Sequence, residues 1–277
     1  MRALGPDRAE ARGFLALLAD LSMFLLAALD RPEVQVWRWP DQGAIAGLFG
    51  LTPAGYAMVQ SPDGLPLADL RQALIGARLL GLTGPAGQVA PLRDGLGLIP
   101  AALDRIEPML ALDLAGLVMP DGPGVIGPAK AADLLLIAGW RAASNIEITG
   151  APPGDVTDRA AYIQAERMIE SGTGRLPNAD GKAVAMMAFN AATPAQAPDR
   201  VQVGAVHTDP ARRNRGAARR LVALALALAE ARQGGAARAV LFTGSPDAER
   251  AWRAIGFDRV GQYHLLILAD PMTLGPA

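Results

Sequence analysis

Hydrophobic residues recur at helical spacing in six stretches, Arg12–Leu29, Leu67–Ile75, Ala129–Ala143, Asp158–Ile169, Ala217–Arg232 and Asp247–Ile255. The spacing gives each stretch one apolar stripe, the mark of a helix lying on a core. Eight shorter runs read as strands: Val34–Trp39, Ala44–Gly50, Tyr56–Gln60, Leu79–Leu82, Ala183–Asn190, Val201–Thr208, Ala239–Thr243 and Tyr263–Leu268. Pro and Gly stand at most boundaries, as turns require. Strands and helices interleave along the whole chain. That alternation predicts an α/β (α+β) protein whose mixed central sheet is flanked by helices.

The densest group of breakers is "MPDGPGVIGP" at 119–128. Pro and Gly remove helix and ladder hydrogen bonds there, so the segment reads as an interdomain linker. It separates an expected N-terminal lobe, residues 1–120, from an expected second domain, residues 121–277. Both halves alternate strands and helices, an outline that allows a diverged internal duplication without showing one.

Composition narrows the chemistry. Of 277 residues 51% are hydrophobic, enough to bury a substantial core. The 26 Lys and Arg nearly balance 27 Asp and Glu, which argues against a whole-chain polyanion binder. With no cysteine there is no disulfide, no thiolate metal site and no thiol nucleophile, and two histidines make a multi-histidine metal centre improbable. The apolar stretch Phe14–Leu29 is interrupted by Asp20, so it reads as a buried helix rather than an export or membrane segment. A cytoplasmic protein with no membrane or nucleic-acid partner is expected.

One segment carries a chemical signal. In "VQVGAVHTDPARRNRGAA", 201–218, an apolar strand runs through an Arg- and Gly-rich turn into the helix "AARRLVALALALAEAR". A helix N-terminus offers unpaired N–H groups and about half a positive charge, a ready phosphate site. Gly216, Ala217 and Ala218 keep side chains small where a ligand must approach, and Arg213 and Arg215 could add forked contacts to phosphate oxygens. A Walker loop is excluded because the required Gly-Lys-Ser/Thr is missing, and a dinucleotide fingerprint because only Gly216 is available.

The run Arg213-Asn214-Arg215-Gly216-Ala217-Ala218 resembles the Gln/Arg-x-x-Gly-x-Gly/Ala signature of the GNAT N-acetyltransferase superfamily, and Pro210 fits too. The strand "ARAVLFTG", a helix closing in Ile255-Gly256-Phe257 and the strand "YHLLIL" follow in that superfamily's order. The resemblance covers about the last 150 residues. More loosely, "GLTGPAGQV" and "DLLLIAGWR" are similar to a two-lobed bacterial subgroup, which implies a smaller GNAT-like lobe ahead of the C-terminal domain. It further implies acetyl-CoA as co-substrate, no metal, and an amine-bearing small molecule or peptide as acceptor, and it is compatible with a homodimer. Backbone groups of Val206, His207 and Thr208 would pair with the pantetheine arm. Arg213, Asn214, Arg215, Gly216, Ala217 and Ala218 would hold the pyrophosphate, and Ser245 would join them.

Two departures from the family pattern bear on catalysis. Ser245 and Trp252 stand where the family often has Asn and a Tyr that protonates the departing thiolate, and an indole N–H is no acid at ordinary pH. Water or the amine's own proton could serve instead; Tyr263 could substitute; or the protein binds acyl-CoA without turning it over. Gln202 stands where some relatives carry a catalytic Glu, and an amide accepts no proton. By strict alternation His207 lies on the opposite strand face from Gln202. It is either a base, directly or through water, or a histidine packed in or solvated at the sheet. Glu147 and Glu166 fall where relatives build an acceptor pocket, or are ordinary surface carboxylates.

Overall fold

The computed structural model describes residues 1–5, 8–122, 124–177, 183–192, 200–230 and 235–275. In chain order the elements are β1 (Arg2–Ala3), α1 (Ala9–Leu17), α2 (Ala19–Ala28), β2 (Gln35–Trp39), β3 (Gly47–Leu51), β4 (Tyr56–Gln60), α3 (Leu67–Ala73), β5 (Arg78–Pro85), α4 (Ala86–Leu96) and β6 (Ala101–Asp113). They continue with β7 (Ile126–Pro128), α5 (Leu134–Thr149), α6 (Asp155–Glu170), β8 (Gly174–Pro177), β9 (Ala185–Ala192), β10 (Arg200–Thr208), α7 (Ala217–Glu230), β11 (Arg238–Phe242), α8 (Pro246–Arg253) and β12 (Asp258–Thr273). The fold is mixed α/β, with strands paired both ways and helices against the sheet.

Contacts divide the chain into two units, residues 1–109 with 260–277, and residues 110–194 with 198–259. The expected cut at 120/121 therefore differs from the observed division at both ends. The Pro/Gly segment is no linker. Within the second unit Pro120 O accepts from Arg220 Nη1 at 2.6 Å, Val118 N–H donates to Ile255 O at 3.1 Å, and β7 pairs with β8. These bonds tie both ends of the segment to the rest of the unit. The last strand, expected in the second domain, pairs antiparallel with β5 in the first unit, Tyr263 opposite Pro85.

In the first unit the strand order runs β1-β2-β3-β4-β5-β12-β6. Phe49 and Val59 pack with Leu70 of α3, Leu74 at its C-terminal end, and Val89, Leu92 and Leu96 of α4. Gly50 turns the other way, where a Cβ would come within 2.8 Å of Leu25 on α2. Helices on both faces explain why every residue of β3 is buried.

In the second unit the order runs β11-β10-β9-β8-β7, with α7 crossing between the parallel strands β10 and β11. Alternation along β9 separates two cores. Ala185, Met187 and Phe189 pack with α7 and α8, whereas Met186 and Ala188 pack with Ile137 and Trp140 of α5 and Ala165 and Met168 of α6. No helix among the described residues is long and apolar enough to cross a membrane.

Candidate functional site

Two irregularities in β10 shape the site. Its parallel ladder with β11 covers only Arg200–Gln202, whereas the antiparallel ladder with β9 continues to Thr208 opposite Ala185. Past Gln202 the strand parts from β11, leaving that edge outside the ladder. Between Gly204 and His207 the strand also carries one residue more than β9, a bulge, and Ala205 takes the left-handed region at φ 49°.

The bulge overturns the expectation for His207. Val201 and Val203 face α7, as does Val206, but Ala205 joins the α5/α6 core and His207 contacts α5. One extra residue inverts the alternation, so His207 shares a face with Gln202 rather than opposing it. His207 is only 5% exposed. Its Nδ1 is 3.0 Å from Ser144 Oγ, its ring centroid is 5.8 Å from that of Trp140, and Nε2 is buried without a hydrogen-bond partner among the described residues. Burial, then the charge of Arg213, hold its pKa below the ordinary histidine value against a weaker pull from Glu147 and Asp209. Burial therefore favours the neutral form of this imidazole, which packs between sheet and helix.

The turn after β10 is built for an exposed main chain. Asp209 accepts from Ala211 N–H at 2.9 Å and starts a short 3₁₀ turn, Pro210–Arg212. Asn214 and Gly216 then take φ of 60° and 76°. The first bond of the following helix runs from Arg220 N–H to Gly216 O at 3.0 Å, so the amides of Ala217, Ala218 and Arg219 have no acceptor within α7. Residues 211–216 are exposed.

The arginines of this turn behave differently. Arg213 donates both terminal nitrogens to Glu147 on α5, at 2.8 and 2.7 Å, and its Nε to Thr208 O at 3.2 Å. The hydrogen-bonded pair raises the pKa of Arg213 and lowers that of Glu147. Glu147 thus anchors the turn, and the forked phosphate contact expected of Arg213 is taken by a carboxylate. Arg215 is exposed beside it.

The remaining expected residues have contacts of their own. Ser245 caps α8, accepting from Ala248 N–H at 3.3 Å, so its hydroxyl has a structural duty. Trp252 is buried in the core with Leu221, Ile255 and Phe257. Tyr263 belongs to the first unit, where it is buried beside Phe24, centroids 6.1 Å apart, with a side-chain hydrogen bond to Thr83. Burial pushes its phenol above the ordinary value, the wrong direction for a proton donor. Among the described residues, no three His, Asp or Glu side chains stand together to hold a metal.

A feature the sequence reading missed lies on the α5/α6 face. A cavity of about 410 Å³ is bordered by Arg141, Gln164, Arg167, Phe189, Asn190 and Ala205, among others. Its signal was present in the helix pattern. Arg141 and Asn145 continue the stripe of Ile137, Trp140 and Ser144, polar residues where a core-facing helix should be apolar.

Residues 146–257, which span this turn and most of the second unit, match the family model described as Acetyltransferase (GNAT) family. The second unit carries a GNAT domain. Among solved structures, a GCN5-related N-acetyltransferase from Kribbella flavida is 22% identical, covering 91% of this chain and 95% of its own at a TM-score of 0.55. A tandem GNAT protein from the clavulanic acid biosynthesis pathway is 13% identical, covering 99% and 98% at 0.59. A GCN5-related N-acetyltransferase from Sphaerobacter thermophilus is 18% identical, covering 100% and 96% at 0.55. These likenesses extend the shared fold beyond the GNAT domain to nearly the whole chain. No curated protein matches it significantly.

Proposed function

We propose that the protein transfers an acetyl group from acetyl-CoA to an amine by direct attack on the thioester. The observation that carries this reading is the β10 edge, unladdered past Gln202 and continuous with a turn whose two left-handed residues lead into α7. An extended arm with amides would pair along Val206–Thr208 like an added strand. Its diphosphate would rest on main-chain nitrogens from about Asn214 to Ala218, where helix charge and small side chains favour it. Family membership of the domain supports acyl transfer from an acyl-CoA in general; acetyl as the group and an amine as acceptor are the finer parts of the proposal. Such a reaction suits the cytoplasm. The first unit would be the smaller GNAT-like lobe of a two-lobed protein, in keeping with the tandem GNAT neighbour.

In the reaction the amine nitrogen forms the new C–N bond as the C–S bond breaks, and the amine's proton is released to water or to the departing thiolate. Main-chain N–H groups of β10 would steady the oxyanion. A thiol leaving group with a pKa of about 8.5 tolerates the lack of a dedicated acid. The scheme assigns no acid role to Trp252, an indole, or to Tyr263, whose buried phenol is held above its ordinary pKa. His207 is a positioning residue in this scheme, joining β10 to α5 through Ser144.

A second reading, acyl-CoA binding without turnover, is favoured by the burial of Trp252 where relatives carry a tyrosine. Calorimetric titration with CoA and acetyl-CoA, followed by a free-thiol release assay over a panel of amines, separates the two. Saturable CoA binding with amine-dependent thiol release supports the transferase. Binding with no release across the panel supports the second reading, and no binding removes both.

A further inference from the structure

The cavity on the α5/α6 face holds positive charge that its walls do not answer. Arg141 is largely buried there, donating its Nε to Gln164 Oε1 at 2.9 Å and its Nη2 to Asn145 Oδ1 at 3.2 Å. Both partners are neutral amides. Arg167 borders the same space, and among the described residues no Asp or Glu lines it. Burial lowers the pKa of the Arg141 guanidinium, with no carboxylate among the described residues offsetting it. A buried cation left so is costly unless a bound partner supplies the missing charge.

Elsewhere in this unit the chain does supply that charge. Arg213 has Glu147, and Arg238 has Asp113 at 2.6 Å. Arg141 is different: it sits on a core-facing stripe, beside a cavity large enough for a small metabolite. The cavity also reaches Ala205, at the bulge of the strand whose edge is proposed to hold the acyl donor. Its positive wall therefore lies next to the strand where the acceptor nitrogen would have to stand.

We infer that the acceptor is an amine that also carries an oxyanionic group, a carboxylate or a phosphate, held by the guanidinium of Arg141 with Arg167 at the rim. This deepens, and rests on, the transferase reading above. A planar fork matches two oxyanion oxygens, which gives the acceptor both affinity and orientation. The same two cations disfavour an ammonium ion in the cavity, so the amine would enter the reaction as the neutral nucleophile that attack requires.

The test uses the full chain saturated with acetyl-CoA and matched pairs of probes: amino acids against their amides and amino alcohols, β-alanine against 3-aminopropanol, and phosphoethanolamine against ethanolamine. Thiol release gives kcat and KM for each probe, and thermal stabilisation of the CoA complex reports binding without turnover. The expected result is that at least one anionic probe exceeds its neutral partner by about tenfold or more in kcat/KM or in affinity. Which pair responds separates carboxylate from phosphate. R141M should erase that preference mainly through KM while leaving CoA affinity unchanged, and R141K should restore part of it.

Neutral probes equal to their anionic partners throughout, no probe of either kind engaging the complex, or a preference that survives R141M would each overturn the inference. The comparison of probes on the unaltered protein needs no variant, so a misfolded R141M does not blunt it. CoA uptake with an indifferent panel removes this inference alone, whereas absent CoA uptake removes the donor reading first.

Discussion

Substituting Gly216 separates what a backbone conformation costs from what a ligand loses. Gly216 sits at φ 76°, and a Cβ there would meet only Arg219 Nη2, at 3.7 Å. That is ordinary contact, so crowding in the free protein contributes nothing. The cost of Gly216→Ala is conformational, about 1–2 kcal/mol for an L-residue in the left-handed region, and Gly216→Val costs more because it is β-branched. For a unit of this size each kcal/mol lowers Tm by about 2–4 °C. Gly216→Asn, tolerated at such φ, should lose less. Affinity for CoA follows a different rule, because all three variants place a Cβ where the diphosphate approaches the main chain. Losing helix-terminus contacts worth up to about 2 kcal/mol raises Kd by roughly ten- to thirtyfold. Thermal unfolding with calorimetric titration reads both quantities. If Gly216→Asn and Gly216→Val lose stability yet bind CoA as the unaltered protein does, the glycine serves the turn alone and the diphosphate is not held there.

Other substitutions test the neighbouring parts. Because burial holds the folded-state pKa of His207 below the ordinary value, the unfolded chain binds more protons from about pH 6.5 down to that lower pKa. Stability should fall as pH falls through this window, and His207→Asn should flatten the slope, read from urea midpoints at pH 7 and 5.5. Glu147→Gln, breaking a pair whose side chains are 38% and 53% exposed, should cost under about 1 kcal/mol. Since Arg213 depresses the pKa of Glu147, that difference should be full above about pH 4.3 and vanish at lower pH, while CoA affinity should not fall once Arg213 is free. Trp252→Tyr should cost about 1–3 kcal/mol by leaving a smaller, polar ring in the core, with no gain in thiol release; a faster release would return the missing acid to α8.

Much of the fold was legible because periodicity reports burial. Helices at α6, α7 and α8 lie close to their expected ranges, whereas α5 starts and ends five to six residues later than the expected Ala129–Ala143; residues 231–232 of the Ala217–Arg232 stretch lie outside the described residues. The single helix expected over Arg12–Leu29 is instead α1 and α2, broken at Leu18 (φ −122°), where no Gly or Pro announces a break. β6 was missed because charges break up its first half and Pro108 interrupts it just past the middle, and β8 because four residues carry too little pattern. The linker reading failed for a different reason: Pro and Gly tell which bonds a segment lacks, and say nothing of which side chains will replace them.

At the site the same division holds, and it explains why the acceptor side was invisible. The turn proposed to hold the diphosphate is local, so a contiguous run from Arg213 to Ala218 suffices to suggest it. The face of His207 is set by one extra residue between Gly204 and His207, a register property that exists only between β10 and β9. The cavity depends on separate segments meeting, among them Arg141 on α5, Gln164 on α6, Phe189 on β9 and Ala205 at that bulge. The bulge is the link between these features. By inverting the alternation it turns Ala205 and His207 toward α5 and α6, so the strand whose edge is proposed to hold the acyl donor also lines the cavity proposed for the acceptor. Deleting Ala205 to restore a regular ladder should therefore cost amine-dependent turnover far more than CoA affinity. CoA affinity falling in step with turnover would show that the two sites are not divided between edge and face.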